Sequence, residues 1–524
     1  MADKNTEKQV GHAGDTHEER VSIDDPDERE LARVGKKSVL RRNFAFLSIL
    51  GLSCSLMITW EGLCSVFVFG LMDGGPAGLI YGFLFCWLGY GTVVATMGEL
   101  VSIWPTAGGQ YHWTHMLAPD GLKDVLSYVT GWQSVIAWQA LSASGGYLTA
   151  SSLQGLVINS QSRYNPTRWQ GTLLVFAIIT FCLVVNTWLA RLLPRAEQAI
   201  LVLHIVLFFV VLITLTTLAP HKSTSHDVWA LFLNHGGYES KGLSFFVGLI
   251  TPVFAFTGAD GAVHMCEEIR HASTALPNAL LGSIVINGVT GFAMLIAILY
   301  CIGDIEAALS TPTGYPFIEI LTQGTSSVAG GTALSALLVT MFMLCTMGTV
   351  ASASRQLWAF ARDNAVPNAR IISYVHPTLK IPLVSILATC SISCLLSLIN
   401  IGSATVFNAI VSLTVAGFFG SYLLPFSLLL HTRLKHPGKL EFGPWRLGTL
   451  GPWINAFAIM WSALVMFFSF WPTSVPVDKV NMNWSCVLWT AVVAFAGVFW
   501  VVHGKGVYKG PIVETGEVDL AVDA

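Results

Sequence analysis

The sequence predicts an all-α polytopic membrane protein with twelve transmembrane helices, arranged as a five-plus-five inverted repeat in which helices 1 and 6 are discontinuous. Three observations support this class. The 524 residues are 53% hydrophobic and 11% charged, with a mean hydropathy of +0.62, whereas a soluble chain is about one quarter charged. Apolar segments about one bilayer long recur twelve times between Asn43 and His503. Polar runs interrupt the first and the sixth of them.

The spans are placed by length, since about 20 apolar residues cross the hydrocarbon core of a bilayer. The ten cysteines lie almost wholly within these spans and form no CxxC pair, so we interpret them as small core residues. We expect the twelve spans at 44–71, 76–103, 125–155, 171–190, 196–219, 243–266, 278–302, 328–358, 382–400, 404–430, 452–472 and 484–503.

Lysine and arginine set the predicted orientation. An even number of spans puts both termini on one side, and with that side cytoplasmic the inner loops hold twelve of these cations. The outer loops hold Arg163, Arg168, Lys222, Lys241 and Lys479. Because Lys and Arg concentrate in cytoplasmic loops, we expect both termini to be cytoplasmic, most simply at the plasma membrane. No basic block suggests a nucleic-acid partner.

Four regions follow along the chain. Residues 1–42 are polar and charged without an apolar signal segment, which predicts a disordered cytoplasmic tail. Residues 43–430 hold helices 1–10, the predicted repeat core, and residues 431–503 hold helices 11 and 12. Residues 504–524 form a cytoplasmic C-terminal tail.

The two interrupted helices point to a site. The first is broken at Thr59-Trp60-Glu61-Gly62 and the sixth at Thr257-Gly258-Ala259-Asp260-Gly261. A polar break within a membrane helix is costly unless it lines a cavity or site. The odd offset of five helices means that the two insert in opposite directions, as an inverted repeat produces. Such paired breaks mark the substrate site in transporters.

Glu61 and Trp60 are the leading candidates in the first break. A charge near mid-membrane is expensive, so we expect Glu61 to bind a solute or a proton. It would lie near the positive N-terminal end of the outer half-helix. A structural carboxylate that caps the half-helix is the alternative. Trp60 offers an aromatic face of the kind that attracts ammonium groups, or it packs against a neighbouring helix.

The remaining site candidates surround these two. Thr59 and Gly62 in the first break, with Thr257 and Gly258 in the sixth, complete the predicted substrate site. Asp260 would face the solute or cap the inner half-helix.

Three further positions are candidates for gating, and one for coupling. Glu99, Glu268 and Arg355 lie at predicted cytoplasmic helix ends, where Glu268 would pair with an inner-loop arginine, or where all three are simply solvated. His204 lies within the fifth span. Histidine titrates near physiological pH, so Glu61 and His204 are the proton-coupling candidates, although a lone histidine on an apolar helix is commonly a core residue.

Several runs resemble a known family. Gly74-Gly75-Pro76 opens the second span, and the run from Glu99 to Trp113 (ELVSIWPTAGGQYHW) closes it. Together with Gly131-Trp132, these resemble the fungal amino acid/choline transporter family of the amino acid–polyamine–organocation superfamily. Further runs resemble the same family: Phe256 to Asp260, Glu267-Glu268, Pro277-Asn278-Ala279, Ser352 to Arg355 and Phe360 to Asp363.

The resemblance covers about residues 43 to 500. It implies the twelve-helix fold with an inverted repeat, and carrier-type transport of small nitrogenous solutes. In sodium-independent relatives with this fold, a basic group on the fifth helix takes the place of a coupling cation, which is the position of His204. The resemblance does not fix the substrate, because related members carry choline, ethanolamine, 4-aminobutyrate and other amino compounds.

Glu61 favours one substrate class among these. A solute carboxylate would meet like-charge repulsion from Glu61 in a low-dielectric site, whereas a cationic amine would not. We therefore expect a proton-coupled secondary transporter of choline-like amines, amino alcohols or amine-bearing natural products. The alternatives are an amino acid or 4-aminobutyrate permease and a non-transporting nutrient sensor. Motifs of membrane enzymes and ATP-driven pumps are missing from the sequence. We expect no cofactor and no metal, with the solute, a proton and membrane lipid as partners.

Overall fold

The computed structural model describes residues 25–514, except 162, 403–405 and 480. Within that part of the chain the structure is helical, and β-structure is limited to two isolated bridges, Phe44 with Ile269 and Asp73 with Asn234. The predicted all-α class is therefore confirmed.

Twelve helical spans follow one another through the described residues. Helices 1 and 6 are each interrupted, as predicted, and their inner and outer parts are labelled separately. The spans are α1a Phe46–Met57, α1b Thr59–Ser65, α2 Gly75–Ile103, α3 Lys123–Ser160, α4 Arg168–Thr187, α5 Leu193–Leu218, α6a Lys241–Gly248 with Ile250–Phe256, α6b Gly261–His264, α7 Ala272–Tyr300, α8 Val328–Arg362, α9 Leu383–Ser397, α10 Val406–Lys435, α11 Gly451–Phe468 and α12 Ser485–Phe499.

Helix α3 differs from the other spans in composition. Among the described residues, 11 helical spans are apolar and long enough to cross a membrane, and α3 is not one of them although it has 38 residues. It packs along α8 and α10 inside the bundle, where most of its serine, threonine and glutamine side chains are buried. The polarity of α3 thus reflects a helix that faces protein rather than lipid.

The break in helix 1 lies slightly earlier than the sequence predicted. The chain leaves helical geometry at Ile58, which has φ 35° and ψ 51°, and helix resumes at Thr59. The predicted break residues, Thr59 to Gly62, instead form the first turn of α1b. The buried side chain of Asn287 on α7 explains the shift, because its Oδ1 accepts from the Thr59 backbone N–H at 2.9 Å and so caps α1b from another helix.

The break in helix 6 lies where it was predicted. Thr257 is extended, Gly258 has φ +108°, and α6b begins after Asp260. A side chain at Gly258 would place its Cβ 3.1 Å from the Leu56 carbonyl oxygen. Glycine therefore serves two purposes here, since it permits the left-handed backbone and the close approach of the two breaks.

The segments that precede α1a and follow α12 lie on the same end of the bundle, called here the terminal face. The Glu514 backbone N–H donates to the Gly35 carbonyl at 2.7 Å, and Glu514 accepts from the Lys37 backbone N–H at 3.0 Å. On the opposite face Asp73 accepts from Ser244 and from the Gly236 N–H, and burial raises its pKa to about 6.

Part of the tail that was predicted to be disordered has regular structure and contacts the bundle. Pro26–Arg33 is helical with Asp25 as its N-cap, and Arg33 donates to the Ile103 carbonyl at 2.9 Å. The many charged residues of this segment suggested that it is exposed to water. Some of them instead bind partners in distant parts of the chain, as Arg33 does with Ile103 and Lys36 with Asp363. Residues 1–24 and 515–524 of the two predicted tails lie outside the described part of the chain.

We expect the Asn287→Ala variant to be less stable than the wild type, because it leaves the Thr59 N–H buried without an acceptor. An unsatisfied buried donor costs about 1–3 kcal/mol. Thermal unfolding of the purified protein in detergent would measure the loss. Asn278→Ala is the matched control, since Asn278 is exposed on the same helix and bonds only within it. Equal shifts in the two variants would contradict the capping role.

Candidate functional site

A small cavity lies where the two breaks meet. It measures about 40 Å³, which is room for about three water molecules. Helices α1, α3, α6 and α8 all contribute to its wall. The lining residues are Leu56, Met57, Ile58, Gly62, Ser65, Leu141, Gly145, Leu148, Phe254, Thr257, Phe342, Cys345, Thr346 and Thr349.

The lining is largely apolar and includes no charged side chain. Its polar groups are hydroxyls of serine and threonine and one thiol, and its two aromatic residues are Phe254 and Phe342. On α1b, Gly62 and Ser65 share the cavity-facing side, because residues three apart lie on one helix face. Of the predicted substrate residues, only Gly62 and Thr257 line the cavity. Its wall does not include Thr59, Trp60, Glu61, Gly258 or Asp260.

Glu61 lies on another face of α1b and contacts helix α5. Its Oε1 is 2.9 Å from Nδ1 of His204, and both side chains are completely buried. When Glu61 is ionised its oxygens can only accept, and Nδ1 of His204 is then the donor. Glu61 Oε2 and His204 Nε2 have no hydrogen-bonding partner among the described residues. The two coupling candidates therefore form one pair, and Glu61 is the chain neighbour of Gly62 in the cavity wall.

Trp60 packs beside this pair. Its ring centroid lies 6.0 Å from that of His204 and 6.4 Å from that of Phe208 on α5. The indole thus contacts a neighbouring helix, which is the packing alternative considered for it, and it shields the pair from surrounding side chains.

Asp260 belongs to a second buried polar group. It accepts from Gln110 Nε2 at 2.8 Å and lies 3.8 Å from His264 Nε2. His264 Nδ1 donates to the Ala107 carbonyl at 2.8 Å. The Asp260 side chain makes no capping bond to α6b, so it joins the inner half of helix 6 to the segment after α2 rather than capping the helix.

Ion pairs close the terminal face below this group. Arg355 Nε donates to Glu268 at 2.8 Å, which matches the predicted pairing of Glu268 with an arginine. The neighbouring Glu267 accepts two hydrogen bonds from Arg362, at 2.8 and 2.7 Å. Helix α8 is thereby joined twice to the end of helix 6.

Asp363, one residue beyond α8, joins both terminal segments to this cluster. It accepts from Lys36 Nζ at 2.6 Å, from Tyr111 Oη at 2.8 Å and from the Ile512 backbone N–H at 3.0 Å. Lys36 is almost completely buried. One carboxylate therefore holds the segment before α1a and the segment after α12 together.

Glu99, the third gate candidate, lies apart from the other two. It forms an ion pair with Arg433 on α10 and accepts from the Leu447 backbone N–H at 3.0 Å. These contacts fix the loop between α10 and α11 rather than the end of helix 6.

Comparison with known proteins identifies the family. The family model described as amino acid permease matches residues 44–492, which extends from just before α1a into α12. The chain belongs to the amino acid permease family. The resemblance to amino acid and choline carriers is therefore confirmed, and a twelve-helix fold fits this family.

Three relatives illustrate the range of this permease family. A Macrophomina phaseolina protein, provisionally named as an amino acid/polyamine transporter, is 33% identical over 83% of this chain and 96% of its own length. The choline transporter of Saccharomyces cerevisiae is 31% identical over 93% of this chain and 86% of its own length. Amino-acid permease 2 of Neurospora crassa is 26% identical over 93% and 89%. Because these relatives are named as transporters and not as enzymes, the permease is an integral multi-pass membrane transporter.

Several residues around the site were not among the predicted candidates. Asn287, which caps α1b, and Glu197, which accepts from Ser55 Oγ at 2.6 Å, are buried polar residues on apolar helices. Burying a polar side chain within a membrane span is unfavourable in free energy, so such residues are usually functional or structural. On that ground both residues could have been chosen as candidates from the sequence. The contacts of Asp363 and Arg362 could not be predicted, because their partners are far away in the sequence.

We expect Asp363→Asn to release both terminal segments, because it leaves Lys36 buried without a counter-charge. Removing one partner of a buried ion pair costs about 3–5 kcal/mol. Hydrogen exchange at residues 33–37 and 508–514 should become faster. Asp120→Asn is the control, since Asp120 pairs with Lys123 in a fully exposed position. Unchanged exchange in Asp363→Asn would rule out its role in holding the segments.

Proposed function

We propose that this permease is a secondary active transporter of small amine solutes, such as choline-like compounds, amino alcohols or amine-bearing natural products, and that a proton drives it. The main support is the Glu61–His204 pair, in which Glu61 is the chain neighbour of Gly62 in the wall of a cavity at the junction of two broken helices. The solute would bind in the cavity, and the proton would bind at the pair.

The cavity suits a methylated or alkyl ammonium group. Phe254 and Phe342 supply aromatic rings, which attract such cations, and the apolar lining fits the carbon atoms around the nitrogen. Glu61 lies in the first turn of α1b and places negative charge at the end where a solute carboxylate would otherwise find backbone N–H groups. That charge opposes a second carboxylate and favours a cation. The choline transporter among the relatives is consistent with this class.

The conformation described is closed around a space smaller than such a solute. A volume of about 40 Å³ accommodates only about three water molecules. Binding an amine therefore requires α1, α3, α6 and α8 to separate at the cavity. The helices would bend most easily at the breaks at Ile58 and Gly258, because the regular helical hydrogen bonds of the backbone are interrupted there.

His204 supplies a site for the proton at Nε2, since Nδ1 already donates to Glu61. With His204 neutral the pair has one negative charge, and with His204 protonated it becomes a neutral ion pair. The attraction between α1b and α5 increases when the proton is bound. The negative Glu61 then faces a positively charged His204, whereas without the proton it faces only the dipole of a neutral imidazole. Proton occupancy would thus change how strongly α5 is held against the break, which links a pH gradient to movement of the cavity wall.

An amino acid or 4-aminobutyrate permease is the second candidate. The observation in its favour is the same pair, since protonation of His204 neutralises Glu61 and reduces the repulsion of a solute carboxylate. Competition between choline and 4-aminobutyrate for uptake separates the two candidates. A nutrient sensor would bind one of these solutes without transporting it.

Uptake of labelled choline into vesicles containing the purified permease tests the proposal. Uptake should increase as external pH falls and should stop with a protonophore. Glu61→Gln should reduce uptake at least about tenfold, since a buried hydrogen bond to a charged group contributes about 1.5–3 kcal/mol. His204→Gln should abolish the pH dependence.

His221→Gln is the control for these variants, because His221 is exposed beyond the end of α5. It should transport like the wild type. Sodium-dependent uptake that ignores a protonophore would refute proton coupling. Normal choline transport by Glu61→Gln, or stronger uptake of 4-aminobutyrate than of choline, would refute the substrate class.

We also propose that the terminal face is cytoplasmic and that the permease lies in the plasma membrane. The excess of Lys and Arg in the loops on that side supports this orientation. Tags at both termini should be protected from protease on intact cells, and a label at Ser225 should be accessible. Cleavage of a C-terminal tag from outside would contradict the orientation.

A further inference from the structure

A cationic cavity lies on the terminal face, beside the ion pair of Glu268 and Arg355. It measures about 210 Å³, which is five times the volume of the cavity at the breaks. Its wall includes the side chains of Arg41, Arg191, Arg355 and Lys380, and its single carboxylate is Glu268. Four cations therefore surround a space with one acid.

The four cations come from different parts of the fold. Arg41 precedes α1a, Arg191 lies between α4 and α5, Arg355 is on α8, and Lys380 precedes α9. Only Arg355 has an acidic partner among the described residues, and the structure shows a single hydrogen bond between them, through Nε. Arg41, Arg191 and Lys380 have no acidic partner among the described residues. They are exposed, so salt screens part of their mutual repulsion, and an anion in the cavity would be attracted by all three.

We propose that this cavity binds the phosphate of an anionic phospholipid headgroup. Basic pockets between membrane helices on the cytoplasmic side are suited to such headgroups, and guanidinium groups match phosphate oxygens in geometry. The inference rests in part on the cytoplasmic orientation proposed above, since anionic lipids are concentrated in that leaflet.

A lipid fits the surroundings better than a soluble phosphate does. Trp188, which also lines the cavity, is 79% exposed at the end of α4. Leu189 and Leu192 next to it are exposed as well. Tryptophan at a helix end is typical of the membrane interface. The cavity thus opens beside apolar side chains that would face acyl chains while the phosphate binds the cations.

Occupancy of the cavity would affect the closure of the terminal face. A phosphate at Arg355 would share the guanidinium with Glu268, the partner that joins α8 to the end of helix 6. The same phosphate would connect Arg41, just before α1a, to Arg191 and Lys380 in the segments that precede α5 and α9. A bound lipid would therefore influence both the ion pair and the entry segment of the discontinuous first helix.

Titration of the purified full-length permease in detergent with a short-chain phosphatidylinositol phosphate tests this site. Thermal unfolding across the titration gives the apparent affinity. The lipid should stabilise the protein, whereas phosphatidylcholine and inorganic phosphate at the same concentration should not. Arg191→Gln and Lys380→Gln should each weaken binding about fivefold, which corresponds to about 1 kcal/mol for each cation near an anionic surface.

Arg370→Gln is the matched control, because Arg370 is an exposed cation that follows α8 and does not line the cavity. It should bind the lipid like the wild type. Equal weakening in Arg370→Gln would show general surface attraction and overturn the site. Equal stabilisation by inorganic phosphate would show that the cavity binds a soluble anion and would overturn the lipid site. No stabilisation by the lipid would overturn the site as well. The binding assay involves no transport, so its outcome is distinguishable from failure of the proposed transport function.

Discussion

The structure depends on how the two interrupted helices supply hydrogen-bonding partners for their backbone groups in the absence of water. Unpaired N–H and C=O groups are not tolerated in hydrocarbon, so each break must find partners within the protein. Helix 1 resumes at Thr59 because Asn287 supplies an acceptor from α7. Helix 6 can open at Gly258 because a residue without a side chain fits against the Leu56 carbonyl. The cavity exists because the two breaks satisfy these demands beside each other.

The position of the first break also determines which way Glu61 points. With helix resuming at Thr59, Gly62 faces the cavity while Glu61, one residue earlier, is rotated by about 100° towards α5. The carboxylate that would be expected to face the solute therefore contacts His204 instead. A shift of a few residues in a helix start can in this way turn a side chain from a cavity towards a neighbouring helix.

The sequence could predict those features that follow from the unfavourable free energy of placing polar groups in a membrane. Hydropathy predicted the spans, the two polar runs predicted the broken helices, and the acidic end of helix 6 predicted a partner for Glu268. The pairing of Glu61 with His204 could not be predicted, because it depends on which helices pack together. For the same reason the sequence did not indicate that Glu99 pairs with Arg433, or that Lys36 pairs with Asp363, 327 residues away.

The composition of α3 has a consequence for how the protein is made. At about 1.5 Å per residue its 38 residues extend about 57 Å, well beyond a hydrocarbon core of about 30 Å, yet it is not among the helices apolar enough to span a bilayer. It packs along α8 and α10, which leave the ribosome later, from Val328 onward. During translation, α3 is therefore made before the helices that cover it. It must enter the bilayer without them or remain beside the insertion machinery until they have been synthesised. Biogenesis of the first half of this permease thus depends on completion of the second.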